Sequence, residues 1–217
     1  MTNNTLEALL QTNPEERDCQ NFFESNVGAI CGSGYLMGNA VIRKFPLGTD
    51  YITDFSYVNP QSGRCFVYLV ELESPSKSIF TKNDQFTQDF NQALQQVNDW
   101  LIWCSKNRES LSQQLEPLRR KSGDAITMYA PRGILIYGRS AEINSIQRQD
   151  RWTAKTEENH YIQIRTYDGW AREKKDFLTG SNFPNYLECV AYQNRNYNKL
   201  RQKPSQLKGA NVSGSLY

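Results

Sequence analysis

Three carboxylate side chains fall close together at a predicted β-hairpin. Asp54 lies on the first predicted strand, and Glu71 and Glu73 lie near the end of the second. Because side chains alternate along a strand, Glu71 and Glu73 share one face. Carboxylate oxygens are preferred ligands of Mg²⁺, and a bound Mg²⁺ polarises a phosphodiester and lowers the pKa of an attacking water. The pattern favours metal-assisted hydrolysis, although acids spaced in this way are also common on a solvated strand face.

The histidine content restricts the other chemistries. His160 is the only histidine, so multi-histidine metal sites are excluded, and a Ser-His-Asp triad would have to use this residue as its base. We interpret His160, at the start of a predicted strand, as structural, with a peripheral phosphate contact as the alternative. Chemistry must therefore rest mainly on carboxylates.

The composition is that of a globular protein without a global charge. The chain has 217 residues, of which 38% are hydrophobic, 22% charged and 12% aromatic, which argues against disorder, collagen and coiled coil. This length fits one α/β domain. Lys and Arg number 25 against 23 Asp and Glu, a formal net charge of +2, so any surface for nucleic acid or anionic lipid has to be a local patch.

The cysteines and the hydropathy indicate a cytoplasmic protein with no membrane partner. The five cysteines are widely spaced and form no C-x-x-C motif, which argues against a disulfide framework or a thiolate zinc site. We interpret them as small buried apolar groups. No apolar run approaches the roughly 20 residues that span a bilayer, and the first residues lack a basic start followed by an apolar stretch.

The hairpin is the strongest local signal in the sequence. Two runs of apolar, β-branched and aromatic residues flank turn-forming residues 59–63, and the second predicted strand covers Cys65 to Glu73. Apolar residues then recur every three or four positions, which predicts an amphipathic helix from about Gln85 to Ser105. We interpret Trp100 and Trp103, beside that stripe, as core or interface residues, with stacking on unpaired bases as the alternative.

Weaker patterns predict the remaining elements. Asn13 is the expected N-cap of a helix from about Pro14 to Asn26, with Pro14 at the first helical position. The tail from Gln193 is rich in Asn, Lys, Arg and Gln and is expected to be loosely packed. The other predicted elements are a short strand within Asn39 to Phe45, a short helix within Glu109 to Lys121, a buried strand from Gly133 to Gly138, a helix over Glu142 to Thr153, a strand over His160 to Arg165 and a helix over Tyr167 to Phe177.

The residues around the hairpin resemble the nuclease domain of Shedu anti-phage defence proteins, which belongs to the PD-(D/E)XK nuclease superfamily. The stretches that carry the resemblance are Phe45 to Gly48, Thr53 to Phe55, Leu69 to Pro75, Phe80 to Lys82 and Ala93 to Trp100. The later stretches Ile136 to Ser140 and Thr166 to Asp168 are similar to the closing strands and helix of that domain. The resemblance extends from about residue 14 to residue 178.

The resemblance implies an α/β fold with a restriction-endonuclease-like core, in which a central mixed β-sheet is flanked by helices. It places Asp54 and Glu71 at the two acidic positions that bind Mg²⁺ or Mn²⁺. Glu73 stands where lysine is usual, as in a minority of restriction endonucleases, and could bind metal or accept a proton from water. Lys82, or Lys77 from the same loop, could supply the missing positive charge, and we prefer Lys82.

Two further positions follow from the resemblance. Gln96 occupies the helix position where many relatives place a glutamine that faces the site. Glu16 is matched to an acid of the first helix that lies near the metals, with Glu24 as a second candidate. The alternative for Glu15 and Glu16 is an interaction with the helix dipole in a first turn.

The implied protein is a metal-dependent DNA endonuclease in antiviral defence, with DNA as its partner, a homo-oligomeric state and a regulatory or sensing partner. The nuclease domain would cover 13–178, between an N-terminal extension (1–12) and a C-terminal tail (179–217). A phosphate-binding surface could form from a set of basic residues, with ordinary solvated helix faces as the alternative: Arg119, Arg120, Lys121, Arg148, Arg151, Lys155, Arg172, Lys174 and Lys175.

Two other functions remain open from the sequence. One is a nuclease-like module that binds DNA or a partner protein without cleaving, in which Glu73 marks a decayed site. The other is a glycosidase, which requires two carboxylates separated by about 5 Å or roughly 6.5–9.5 Å across a sugar-sized cleft. A choice between DNA and RNA as the substrate does not follow from the sequence.

Overall fold

The computed structural model describes residues 5–32, 36–61, 63–119, 128–175 and 187–200. In this part of the chain, a mixed six-stranded sheet lies between two layers of helices. The expected α/β class, with a mixed central sheet flanked by helices, is confirmed. None of the described helices is long and apolar enough to cross a membrane.

Among the described residues, three helices come first in the chain, five strands follow, and from the fifth strand onward each strand is followed by a helix. The strands are β1 (Ala40–Arg43), β2 (Pro46–Leu47), β3 (Tyr51–Ile52), β4 (Phe55–Gln61), β5 (Arg64–Leu72), β6 (Met128–Ile136), β7 (Ile162–Arg165) and β8 (Glu188–Ala191). The helices are α1 (Leu6–Leu10), α2 (Glu16–Ser25), α3 (Gly28–Cys31), α4 (Gln88–Lys106), α5 (Arg108–Gln114), α6 (Ile146–Glu158), α7 (Tyr167–Lys174) and α8 (Arg195–Lys199).

The sheet has the strand order β7-β6-β5-β4-β1-β8, and β2 pairs separately with β3. Strands β5, β6 and β7 are parallel, β4 is antiparallel to both β5 and β1, and β8 is parallel to β1. Helices α4 and α6 follow β5 and β6 in the chain, as the parallel pairings require. The predicted hairpin is confirmed as β4 and β5, whose paired register runs from Phe55 opposite Val70 to Gln61 opposite Arg64.

Helix α4 covers one face of the sheet. Thr87 is its N-cap, whose side chain accepts from the Phe90 N–H, and the first residue of the helix, Gln88, lies three residues after the predicted start. Its apolar stripe includes the buried residues Val97 and Trp100 and packs against β5 and β6. Trp103 is also buried, so the interpretation of both tryptophans as packing residues is confirmed.

Among the described residues, four helices cover the opposite face of the sheet. Helices α1, α2, α3 and α7 contribute their buried residues to one cluster with the sheet residues Val41, Phe55, Val70, Leu72, Ile134 and Ile136. Trp170 of α7 ties two of these helices together, since its Nε1–H donates to the Ala29 carbonyl at 2.7 Å. The segment assigned to an N-terminal extension therefore contributes α1 to this layer of the fold.

The predicted start of α2 is wrong. Asn13 has a left-handed φ of +51° and is not the cap. Glu15 is the N-cap, and its backbone N–H donates to Asp18 Oδ2 at 3.0 Å in a capping box. An acid three residues into the helix competes with asparagine for the capping role, because it satisfies the N–H of the cap residue itself.

The expectation of a loosely packed tail is wrong for residues 187–200. Strand β8 pairs along its whole length with β1, from Ala40 opposite Glu188 to Arg43 opposite Ala191. Tyr197 and Leu200 are buried, and the Tyr197 hydroxyl contacts the Gln114 carbonyl. The polar composition of this segment hides a few apolar residues that reach the core. Residues 201–217 and Phe177 lie outside the described residues.

Candidate active site

The start of β4 and the end of β5 bring two of the predicted carboxylates together. Asp54 directly precedes β4, and its backbone N–H donates to the Val70 carbonyl at 3.1 Å. Its Oδ2 accepts from the Leu72 N–H at 2.9 Å. Asp54 is only 8% exposed, so its carboxylate is fixed against the last residues of β5, next to Glu71 and Glu73.

Glu71 lies on the side of the sheet that α4 covers. Its side chain is buried, with 9% of the residue exposed. Gln96 on α4 donates from Nε2 to Glu71 Oε1 at 2.8 Å. The structure therefore brings together Glu71 and the glutamine that the sequence places at the site.

The carboxylates at this end of the sheet affect one another electrostatically. Burial, followed by the charges of Asp54, Glu73 and Glu16, raises the pKa of Glu71 to about 9. The pKa of Glu16 is also raised, by desolvation and then by the charges of Glu73 and Asp54. Glu71 therefore carries a proton at neutral pH when no cation is bound. Glu16, at the start of α2, belongs to this group.

Glu24, the second candidate from α2, is used elsewhere. Both of its carboxylate oxygens accept from Arg43 Nη1, at 2.9 and 3.1 Å. The structure thus favours Glu16 over Glu24 as the acid of this helix that faces the site.

Two lysines hold the outer carboxylates. Lys44 Nζ lies 2.6 Å from Asp54 Oδ1, and Lys77 Nζ lies 2.5 Å from Glu73 Oε2. The hydrogen bond to Glu73 raises the pKa of Lys77. Lys82 is exposed and, within the described part of the chain, forms no ion pair with Asp54, Glu71 or Glu73. The placement therefore favours Lys77 over Lys82, contrary to the sequence-based preference.

Lys44 is the residue that sequence reasoning missed. It directly follows β1, has a left-handed φ of +52°, and its N–H donates to the Asp54 carbonyl at 2.9 Å. Only the antiparallel pairing of β1 with β4 brings it beside Asp54. No local motif predicts that pairing. Lys44 could have been placed at the site only if the register of β1 against β4 had been predicted.

The start of α7 supports the end of β5. The Tyr167 hydroxyl donates to the Glu73 carbonyl at 2.7 Å, and its backbone N–H donates to Gly138. Arg139 Nε and Nη2 donate to Asp168. Burial alone would raise the pKa of Asp168, but these hydrogen bonds outweigh it, so the pKa is lowered. These contacts join the ends of β5 and β6 to α7, which fixes the backbone that carries Glu73.

The donor chemistry of this group fits a hard divalent cation. Asp54, Glu71, Glu73 and Glu16 offer only carboxylate oxygens, which are preferred ligands of Mg²⁺ and Mn²⁺, and their mutual repulsion favours a cation. Within the described residues, no three or more Asp, Glu, His or Cys side chains are already gathered as a metal-binding set. Asp54 and Glu73 would have to exchange their lysine partners for the metal.

The basic residues considered for phosphate binding are largely used inside the fold. Arg148 Nε donates to Asp84 Oδ1 at 2.5 Å, and Arg151 contacts the Asp84 carbonyl, so both hold the loop before α4. Lys155 pairs with Glu158. Arg120 and Lys121 lie outside the described residues. The charges of α6 therefore support structure rather than a continuous basic face.

Comparison with known proteins gave a family match. The family model described as Shedu protein SduA, C-terminal, matches residues 13–169. This region includes the hairpin, the carboxylate group and the start of α7. A comparison with curated proteins found no match.

Proposed function

This chain belongs to the family of Shedu SduA C-terminal domains, and on that premise we propose that it is a metal-dependent DNA endonuclease of anti-phage defence. The proposal includes a restriction-endonuclease-like core for the mixed sheet. It also assigns hydrolysis of phosphodiester bonds to the carboxylate group at the start of β4 and the end of β5.

The observation that supports the proposal best is the state of Glu71. A carboxyl group that is 9% exposed, with a pKa raised to about 9 by burial and by three other carboxylates, is unfavourable in its charged form. Such perturbed groups concentrate at functional sites. A divalent cation would reverse the effect, because it stabilises the ionised carboxylates that repel one another without it.

The residues divide naturally into roles. Asp54 and Glu71 would hold Mg²⁺ or Mn²⁺, with Glu73 and Glu16 at its periphery. The metal, when bound, supplies Lewis-acid polarisation of the phosphodiester and a more acidic water. Gln96 orients Glu71 through its hydrogen bond. Once released from Lys77, Glu73 could accept a proton from water, while the ammonium group of Lys77 stabilises developing negative charge.

Plasmid cleavage tests the proposal. Supercoiled and linear DNA are incubated with the protein in Mg²⁺, Mn²⁺ or EDTA, and wild type is compared with Glu71→Gln. We expect metal-dependent cutting that the substitution abolishes while the circular dichroism spectrum stays unchanged. Full activity of Glu71→Gln would overturn the assignment. Glu157→Gln, an exposed change on α6, is the matched control.

A second candidate, a nuclease-like module that binds without cleaving, is favoured by the lysine contacts. Lys44 and Lys77 already neutralise Asp54 and Glu73, as expected if the lysines had permanently replaced a metal. Binding of Mn²⁺ measured by electron paramagnetic resonance separates the two candidates. An active site binds Mn²⁺ in a way that requires Asp54 and Glu71, whereas a binding module shows no such requirement.

A further inference from the structure

An arginine lies between two aromatic rings on the sheet face opposite Glu71. Side chains alternate along β5, so Phe66 and Tyr68 point away from the α4 side, where Glu71 contacts Gln96. In the register of β5 with β6, Arg132 lies beside Tyr68. The guanidinium carbon of Arg132 is 5.0 Å from the ring centre of Phe66 and 4.9 Å from that of Tyr161. Stacking of this kind fixes the plane of the guanidinium group.

A pocket of about 330 Å³ opens beside this arginine, along the edge strand β7. Its cationic, hydrogen-bonding and aromatic lining includes Arg132, Arg165, His160, Thr156, Asn159 and Tyr161. None of the described lining residues is acidic. The pocket therefore favours an anion.

The arginine has capacity for a ligand. Its Nη1 donates to the Pro131 carbonyl at 2.8 Å, and within the described residues Arg132 forms no ion pair. Arg165, by contrast, is paired with Glu173. Planar guanidinium groups bind phosphate oxygens through paired N–H donors, so Arg132 is the residue of this pocket that suits a phosphoryl group.

The tyrosine beside Arg132 indicates which chemical group accompanies the phosphate in a ligand. Tyr161 is 61% exposed, so part of its ring is accessible to a ligand in addition to its contact with Arg132. Tyrosine rings stack on unpaired bases, and the combination of cationic donors with exposed aromatic rings is typical of sites for single-stranded nucleic acid. A volume of about 330 Å³ admits a unit of that size, within the range of small-molecule sites.

We propose that this pocket is a second binding site, which takes a nucleotide unit with its phosphate on Arg132 and its base on Tyr161. The unit can belong to a free nucleotide or to a single strand, since the two share this chemistry. The inference does not rest on the nuclease assignment, because neither Glu71 nor Gln96 lines the pocket and binding needs no metal.

The test measures binding in EDTA and in phosphate-free buffer. A short fluorescein-labelled oligothymidine is titrated by fluorescence anisotropy, and 5′-dTMP is titrated by calorimetry. We expect saturable binding of at least one probe that weakens as salt rises. Tighter binding of the oligonucleotide identifies a strand as the ligand, and equal binding identifies the free nucleotide.

Variants locate the binding. Arg132→Ala and Tyr161→Ala are each expected to weaken it about tenfold or more, and Arg132→Lys should weaken it because lysine keeps the charge but loses the planar donors. Arg108→Ala, an exposed change on α5, is the control and should leave binding unchanged. If Arg132→Ala does not fold, Tyr161→Ala, at an exposed position, decides the question.

Two results would overturn the proposal. One is that neither the oligothymidine nor 5′-dTMP binds in EDTA. The other is equal affinity of wild type, Arg132→Lys and Tyr161→Ala. Both are independent of DNA cleavage, so loss of this proposal and loss of the proposed nuclease function can be told apart.

Discussion

At the residue scale, ionisation of Glu71 lowers the stability of the metal-free protein, although the same ionised carboxylate is the one proposed to bind the metal. Its pKa is about 9 in the fold, whereas an unfolded chain gives about 4.3. Between these pH values the folded protein binds a proton that the unfolded chain releases, so the free energy of unfolding falls as pH rises. A residue retained for metal binding would thus destabilise the protein in EDTA at alkaline pH.

Glu71→Gln tests this balance. Glutamine keeps the shape and the contact with Gln96 but cannot ionise, so we expect the variant to be more stable than wild type in EDTA near pH 9, by more than about 1 kcal/mol. Urea denaturation between about pH 5 and pH 9 measures the difference, with Glu157→Gln as the matched control. A difference that stays constant with pH would contradict the raised pKa.

The lysine contacts lead to a second residue-scale prediction. Lys77 contacts Glu73, and Lys82 is exposed without such a contact, so Lys77→Met should reduce the turnover of cleavage about tenfold or more, while Lys82→Met has a much smaller effect. Initial rates of plasmid nicking in saturating Mg²⁺ measure both. If Lys82→Met has the larger effect, the sequence-based preference is correct and the loop rearranges in the active complex.

Sequence reasoning identified the carboxylates of the site, Gln96 and Lys77, and missed Lys44. The types and spacing of Asp54 and Glu71, together with the family resemblance, are local information. Lys44 depends on how β1 pairs with β4, which is a contact between strands with no signature at Lys44 itself. Arg132 was not predicted as a binding residue, because its stacking partners lie far from it in the sequence, on β5 and directly before β7.

At the element scale, the approach of α4 to the sheet decides where Gln96 lies. A Cβ added to Gly133 on β6 would come within 2.4 Å of Val97 Cγ1 on α4. Only a glycine at this point of β6 lets the helix lie so near. The distance from the helix axis to the sheet also fixes the reach of Gln96 to Glu71, since Val97 is its neighbour on the same helix.

Gly133→Ala is therefore expected to destabilise the protein by about 1–3 kcal/mol and to weaken the pH dependence that the burial of Glu71 imposes. Adding Val97→Ala removes the clashing methyl groups, so the double variant should recover part of the loss. Thermal and urea unfolding of the two single variants and the double variant measure the coupling. Strict additivity would contradict the proposed close contact.

Element prediction succeeded where patterns were local. The alternation of apolar residues predicted β4 and β5, and the apolar repeat predicted α4, each to within a few residues. The strand at β6 is longer than predicted, because residues 128–132 are less apolar than the part that packs under α4. The start of α2 was wrong because a capping box at Glu15 and Asp18 competes with the Asn-Pro pattern before it.

At the scale of the whole molecule, β8 completes the sheet. It gives β1 a second neighbour, and it brings Tyr197 and Leu200 into the core that α4 covers. A low apolar content concealed this role in the sequence, since four strand residues and two buried side chains suffice to place the segment.

Removal of residues 187–217 tests the contribution of β8. The truncated chain loses the pairing of Ala40–Arg43 with β8 and exposes that edge, so we expect a lower melting temperature and a tendency to associate through the edge. Thermal unfolding and light scattering measure the two effects. Val190→Ala, a milder change at a buried position of β8, should lower the melting temperature less. A truncated chain as stable and monodisperse as wild type would contradict this role.

The parallel pairing of β1 with β8 also bears on how the protein is made. During synthesis, β1 leaves the ribosome early and β8 leaves late, so the nascent chain can form the hairpin and the parallel strands β5 to β7 while one edge of its sheet is still open. Chains fold progressively as they emerge, and open strand edges are aggregation-prone. The nascent protein thus passes through a stage in which the carboxylate cluster can be assembled while β1 is still the exposed edge of the sheet, before β8 takes that position.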